Sequence, residues 1–145
     1  MSTRYQNHIG GKWVDALGGE TFENRNPANW EEVVGIFPKS SKEDVDRAVE
    51  SAQEGFEAWR KVPAPTRGQI LKRASDLLVE RKEEYAKDMT REMGKVLDET
   101  RGDIQEAIDT GYYAFGEGRR FFGKTAPSEL KNKATFTTHL PLGVV

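Results

Sequence analysis

A chain of 145 residues can form one domain with its own core, but only 36% of this one is hydrophobic, so that core is small for its length. A net charge of -2 excludes the broad positive field that a dedicated nucleic-acid or anionic-membrane binder needs. The sequence has no cysteine, which excludes disulfides, thiolate zinc sites and a cysteine nucleophile within these residues. The opening MSTRYQNHIGGKW has no apolar stretch of signal-peptide type. No window approaches the ~18 apolar residues of a membrane helix. The expectation is a soluble, cytoplasmic protein with no nucleic-acid partner and no membrane partner.

The first forty residues read as β ribbons. YQNHIGGKWVD alternates around Gly10-Gly11, and a glycine pair between short strand-like runs predicts a tight hairpin. A short strand is expected near Thr21 to Asn24, a turn at Asn26-Pro27, and a second strand over EEVVGIFPKS that Pro38 ends. The period then changes. Val45, Ala48, Val49, Ala52, Phe56 and Trp59 fall on one face of a helix, and Ser41 with Asp44 forms a capping-box pattern at its start. Pro63 and Pro65 are expected to stop this helix.

A second helix is expected to open at Thr66, paired with Gln69, and to carry Ile70, Leu71, Ala74, Leu77 and Leu78 inward. Its stripe skips a beat near Arg81, which predicts a kink or two abutting helices. Gly94 is placed to cap the far end. A third helix is expected over Asp98 to Phe122, with Ile104, Ile108, Tyr112, Phe115 and Phe122 on one face and Gly123 as its stop. Lys133 to Leu140 alternates and predicts a strand with two differently used faces. Leu142 to Val145 reads as the first rungs of a buried, parallel strand.

Few residues point to chemistry. Gly116, Gly118 and Gly123 suggest a dinucleotide loop, but such loops follow a strand and open a helix. These glycines close a helix, where packing and capping explain them. Arg119, Arg120 and Lys124 beside Phe121 and Phe122 suit a helix C-terminus by charge alone. His8 and His139 are far apart in sequence, with no relay partner nearby. Glu106 is the exception, because it lies between Ile104 and Ile108 and therefore flanks the buried stripe. A carboxylate there can line a pocket and read a cationic or polar substrate group, although periodicity alone favours a solvated surface position. The residues themselves supply no catalytic, cofactor-binding or metal-binding set.

Read as an ordered set, the chain resembles the N-terminal part of the aldehyde dehydrogenase superfamily. The stretches that carry the likeness are IGGKWVDALGGETFENRNPANWEEVVGIFPKSSKEDVDRAVESAQEGFEAW, PTRGQILKRASDLLVERKEEYAKDMTREMGK, YYAFGEGRRFFGKTAP and HLPLGVV. The resemblance implies an α/β chain: the N-terminal part of a three-layer αβα fold, with β ribbons, three helices and the start of a parallel sheet. It implies the front of the dinucleotide-binding domain over residues 1–121 and a bridging, oligomerising strand segment over 122–140. Residues 141–145 would begin the first core strand, and the chain would stop there as a fragment.

For the complete family protein, the resemblance implies NAD- or NADP-dependent oxidation of an aldehyde to a carboxylic acid. The route runs through a thiohemiacetal and a thioester on a cysteine that lies beyond these residues. It also implies a homodimer or homotetramer formed through the 133–140 strand. Glu106 would lie on the helix bordering the aldehyde entrance, and GDIQEAID looks most like members that act on semialdehydes. The competing reading is a non-catalytic binding or oligomerisation module derived from the same family.

Overall fold

The computed structural model describes residues 3–145. Two antiparallel ribbons come first. β1 (Asn7–Ile9) pairs with β2 (Lys12–Val14), and β3 (Thr21–Asn26) pairs with β4 (Asn29–Pro38). Gly10 and Gly11 join the first pair with φ of 59° and 76°. A two-residue hairpin turn of matching twist needs positive φ at both positions, so the glycine pair is required there. At the second turn the Asn26 side chain accepts the Ala28 N–H at 2.9 Å, which closes the Asn-Pro corner.

Four helices follow: α1 (Lys42–Trp59), α2 (Ala64–Glu80), α3 (Lys82–Met93) and α4 (Leu97–Glu117). The Ser41 N–H donates to the Asp44 carboxylate at 2.9 Å, which realises the expected cap. Asp44 also accepts the Leu17 N–H at 3.0 Å, so the cap ties α1 to the segment behind the first hairpin. The expected break at Arg81 is present as two abutting helices, which gives four helices among the described residues rather than three. Gly94 caps α3 in the left-handed conformation, as its position implied.

The opening of α2 differs from the expectation. It starts at Ala64 rather than Thr66, behind Pro63, with Pro65 inside its first turn. A proline is tolerated there because the first N–H groups have no partner within the helix. α1 has already ended at Trp59 and needs no proline to stop it.

The core is small. Ala86, Ile104 and Ile108 are buried, with Leu78, Tyr85, Met89 and Leu97 packed around them. Thr100 is fully buried, and its Oγ1 donates to the Ala86 carbonyl at 2.9 Å and meets Thr90 Oγ1 at 2.8 Å, which fastens α4 to α3. The β3–β4 ribbon docks on α3 through Arg91, whose Nε donates to Glu32 at 2.7 Å. Glu32 also accepts from the Asn26 amide at 2.9 Å.

The C-terminal part corrects two expectations. α4 ends at Glu117, not Phe122. Gly116 and Gly118 weaken a helix locally, and Phe121 and Phe122 beyond them are 54% and 74% exposed, so no packing extends it. The 133–140 strand shortens to β6 (Ala134–Phe136), paired antiparallel with β5 (Thr125–Pro127). Its length matches that of its partner, the three-residue β5. Residues 141–145 form no ladder, and the three sheets among the described residues are each two-stranded and antiparallel. Parallel pairing among the described residues is confined to one bridge, Arg4 to Ile36. The α/β class stands, and the strand expected to begin at 141–145 has no partner strand within these residues.

Candidate functional site: the groove along α2 and α4

The site follows from how closely α2 and α4 approach. They cross where both present small residues seven apart: Gly68 and Ser75 on α2, Gly111 on α4 and Gly118 at its C-cap. A Cβ at Gly68 would stand 3.0 Å from the Phe115 carbonyl oxygen, and one at Gly118 would stand 2.8 Å from that of Ala64. A Cβ at Gly111 would run into Ser75 Oγ. The backbones therefore touch along this seam, and side chains on either side form walls rather than filler.

One such wall is an open groove of about 580 Å³ lined by Leu71, Leu78, Asp103, Glu106, Thr110 and Gly111 among others. Glu106 stands on its rim and is exposed. It has no ion pair among the described residues, so its carboxylate is available to a ligand. Its helical neighbours Ile104 and Ile108 are 6% and 2% exposed. Flanking the buried stripe has thus carried Glu106 to the edge of a cavity, at the surface.

The other charged residue lining the groove, Asp103, is paired, as are Lys72, Asp76 and Tyr112 elsewhere on α2 and α4. Lys95 Nζ donates to Asp103 at 2.6 Å, a bond that raises the lysine pKa, with the charges of Asp103, Glu99 and Glu106 adding to the effect. Asp76 accepts from Lys72 at 2.9 Å and from the Tyr112 hydroxyl at 2.9 Å, and both bonds lower its pKa. The same bond, together with burial, raises the Tyr112 pKa. These pairs escaped the sequence reading. The Lys72–Asp76 spacing was a usable signal, whereas Tyr112 is brought to Asp76 by the helix crossing and Lys95 reaches Asp103 from the α3–α4 connection.

The other candidates are not brought together. His8 lies against Trp13 and His139 against Phe121, with ring centroids 4.8 Å and 5.6 Å apart. Arg120 is paired with Glu117 at 2.6 Å. Among the described residues no group of three or more His, Asp or Glu side chains is placed to hold a metal ion. The Gly116–Gly123 stretch lies at the C-terminal, negative end of α4. It therefore does not fit the pyrophosphate of a dinucleotide, which needs N–H groups and a positive helix end.

Residues 13–145 match the model of the aldehyde dehydrogenase family, and the chain belongs to that family. It is 43% identical to an alpha-ketoglutaric semialdehyde dehydrogenase of Bacillus subtilis over 141 residues, which cover 97% of this chain and 29% of that protein. It is 39% identical to malonate-semialdehyde dehydrogenase 2 of Geobacillus kaustophilus, with 97% and 29% covered. The chain thus spans less than a third of the length of these relatives. Among solved structures, an NAD-dependent aldehyde dehydrogenase from Sinorhizobium meliloti superposes with a TM-score of 0.84 at 33% identity, over 92% of this chain and 27% of that one. No helix among the described residues is long and apolar enough to cross a membrane.

Proposed function

We propose that these residues serve an NAD(P)-dependent semialdehyde dehydrogenase, and that the α2–α4 groove borders the aldehyde entrance with Glu106 at its rim. The observation that carries the activity is the likeness to relatives named as semialdehyde dehydrogenases, and the unpaired Glu106 carboxylate beside an apolar groove supports the placement of the entrance. In a protein of the relatives' length, residues 1–121 form the front of the dinucleotide-binding domain. Residues 122–140 bridge and oligomerise, as a homodimer or homotetramer, and residues 141–145 lead into the first core strand.

The chemistry is divided accordingly. NAD(P), when bound, supplies the hydride acceptor for oxidation of an aldehyde to an acid. The chain's own residues shape access. Leu71 and Leu78 give the groove an apolar wall, and Glu106 contributes a negative charge at its mouth. That charge favours a substrate whose second polar group is cationic or donates a hydrogen bond; a second carboxylate, as malonate and alpha-ketoglutaric semialdehydes carry, is accepted more slowly than it would be without Glu106. With no cysteine in the sequence, these 145 residues by themselves provide no thiol for acyl transfer and are inactive alone.

The test is reduction of NAD+ and of NADP+ by the protein at the length its gene encodes. Malonate semialdehyde, alpha-ketoglutaric semialdehyde and an uncharged aldehyde of similar size serve as substrates. Turnover of a semialdehyde with either cofactor is the expected result. No turnover of any aldehyde by folded protein contradicts the reading and favours the non-catalytic module.

A further inference from the structure

Arg67 occupies an electrostatically awkward position. It sits in the first turn of α2, where the helix dipole is positive and a cation is disfavoured. Its Nε is shielded from solvent and has no hydrogen-bond acceptor among the described residues. It takes part in no ion pair among them. Buried guanidinium N–H groups are ordinarily matched to an acceptor, because leaving one unmatched forfeits its hydration. Trp59 offers partial relief, with its ring centroid 5.9 Å from the guanidinium carbon.

A cavity of about 320 Å³ opens beside Arg67. Its other walls are Arg60, Phe121, His139, Leu140 and Pro141. Arg60 leans over Phe56 at 5.2 Å and reaches Glu57 at 3.5 Å, a pair in which both side chains are about half exposed. No carboxylate lines the cavity. The hydrogen bond from the Thr137 N–H to the Lys124 carbonyl, 2.9 Å, anchors the strap that carries His139 to Pro141 across it.

We propose that this cavity, between the α1–α2 elbow and the 138–141 strap, is a carboxylate site, with the Arg67 and Arg60 guanidiniums as donors and Phe121, Leu140 and Pro141 around the apolar part of the ligand. The planar guanidinium fork matches a carboxylate in a bidentate pair, and the positive end of α2 adds to the attraction. The carboxylate comes either from a free organic acid or from an Asp or Glu of a further polypeptide segment. The inference stands apart from the dehydrogenase reading, since it rests on Arg67 and its surroundings and not on the Glu106 groove.

The experiment uses the protein at the length its gene encodes, with 15N-labelled arginine. The Nε–Hε signal of Arg67 is identified by its loss in Arg67→Gln and followed during additions of sodium propionate and, separately, inorganic phosphate, at ionic strength held constant with chloride. A free-acid site gives a saturable shift with propionate, weakened about tenfold or more in Arg60→Gln. A carboxylate from the polypeptide gives a signal unmoved by propionate that shifts in one step as pH falls through about 4. The proposal is overturned by a signal at the position of an exposed arginine that responds to neither treatment. It is equally overturned by phosphate binding more than about tenfold tighter than propionate, or by a response to propionate that survives unchanged in both Arg60→Gln and His139→Asn.

Discussion

Helices α1 and α4 carry similar apolar spacing and meet opposite fates. α4 buries Thr100, Ile104 and Ile108 against its neighbours. α1 buries only Asp44, and its stripe residues Val45 and Val49 are 55% and 52% exposed. A helical period identifies the face prepared for burial. Whether anything lies on that face depends on segments elsewhere, since most helical stability in proteins comes from packing. α4 has partners in this chain because glycines and a serine let α2 approach it closely. α1 meets mainly the first hairpin.

The comparison can be tested from its strongest side first. Ile108→Ala empties a fully packed position and is expected to cost about 3 kcal/mol in a denaturation experiment. Gly111→Ala drives a methyl group into Ser75 Oγ and is expected to cost about 2 kcal/mol. Adding Ser75→Ala should recover most of that loss, because the clash needs both partners. Full additivity of the two changes would show that the seam is looser than described.

Acid should act mainly through the paired carboxylates. Hydrogen bonds from the backbone of Ser41 and of Leu17 lower the Asp44 pKa, and bonds from Asn26 and Arg91 do the same for Glu32. A carboxyl with a depressed folded pKa gives stability that is complete above its unfolded value, about 4. That stability is lost as pH falls through the folded value. The melting temperature should therefore decline below about pH 4, and Asp44→Asn should flatten the decline. An Asp44→Asn protein with an unaltered acid profile would remove the cap from the account. The smallest effect is expected from Val49→Ala, at under about 0.5 kcal/mol. A cost rivalling that of Ile108→Ala would mean that another segment covers α1.

The same division explains what the sequence could tell. The Gly10-Gly11 hairpin, the Ser41–Asp44 cap, the break at Arg81 and the Gly94 cap are local, and each was legible from a few adjacent residues. The end of α4 and the length of β6 were not. Both depend on what packs beside them: Phe121 and Phe122 find nothing to extend the helix, and β6 finds a partner three residues long. Glu106 was legible as a residue flanking a buried stripe. Its groove was not, because the floor comes from Ser75 meeting Gly111 across two helices. The resemblance in IGGKW, EMGK and FFGKTAP reached the family directly, where periodicity reached only the elements.

The most direct test of the functional account compares Glu106→Gln with the unaltered protein at the length its gene encodes, by kcat/KM at low salt. Three aldehydes of similar size are needed, bearing an amino group, a carboxylate and no charge. The account predicts that the substitution lowers kcat/KM for the amino-aldehyde, raises it for the carboxy-aldehyde, and leaves the neutral one unchanged. An equal effect on all three, or none on any, would contradict the placement of Glu106 at the aldehyde entrance.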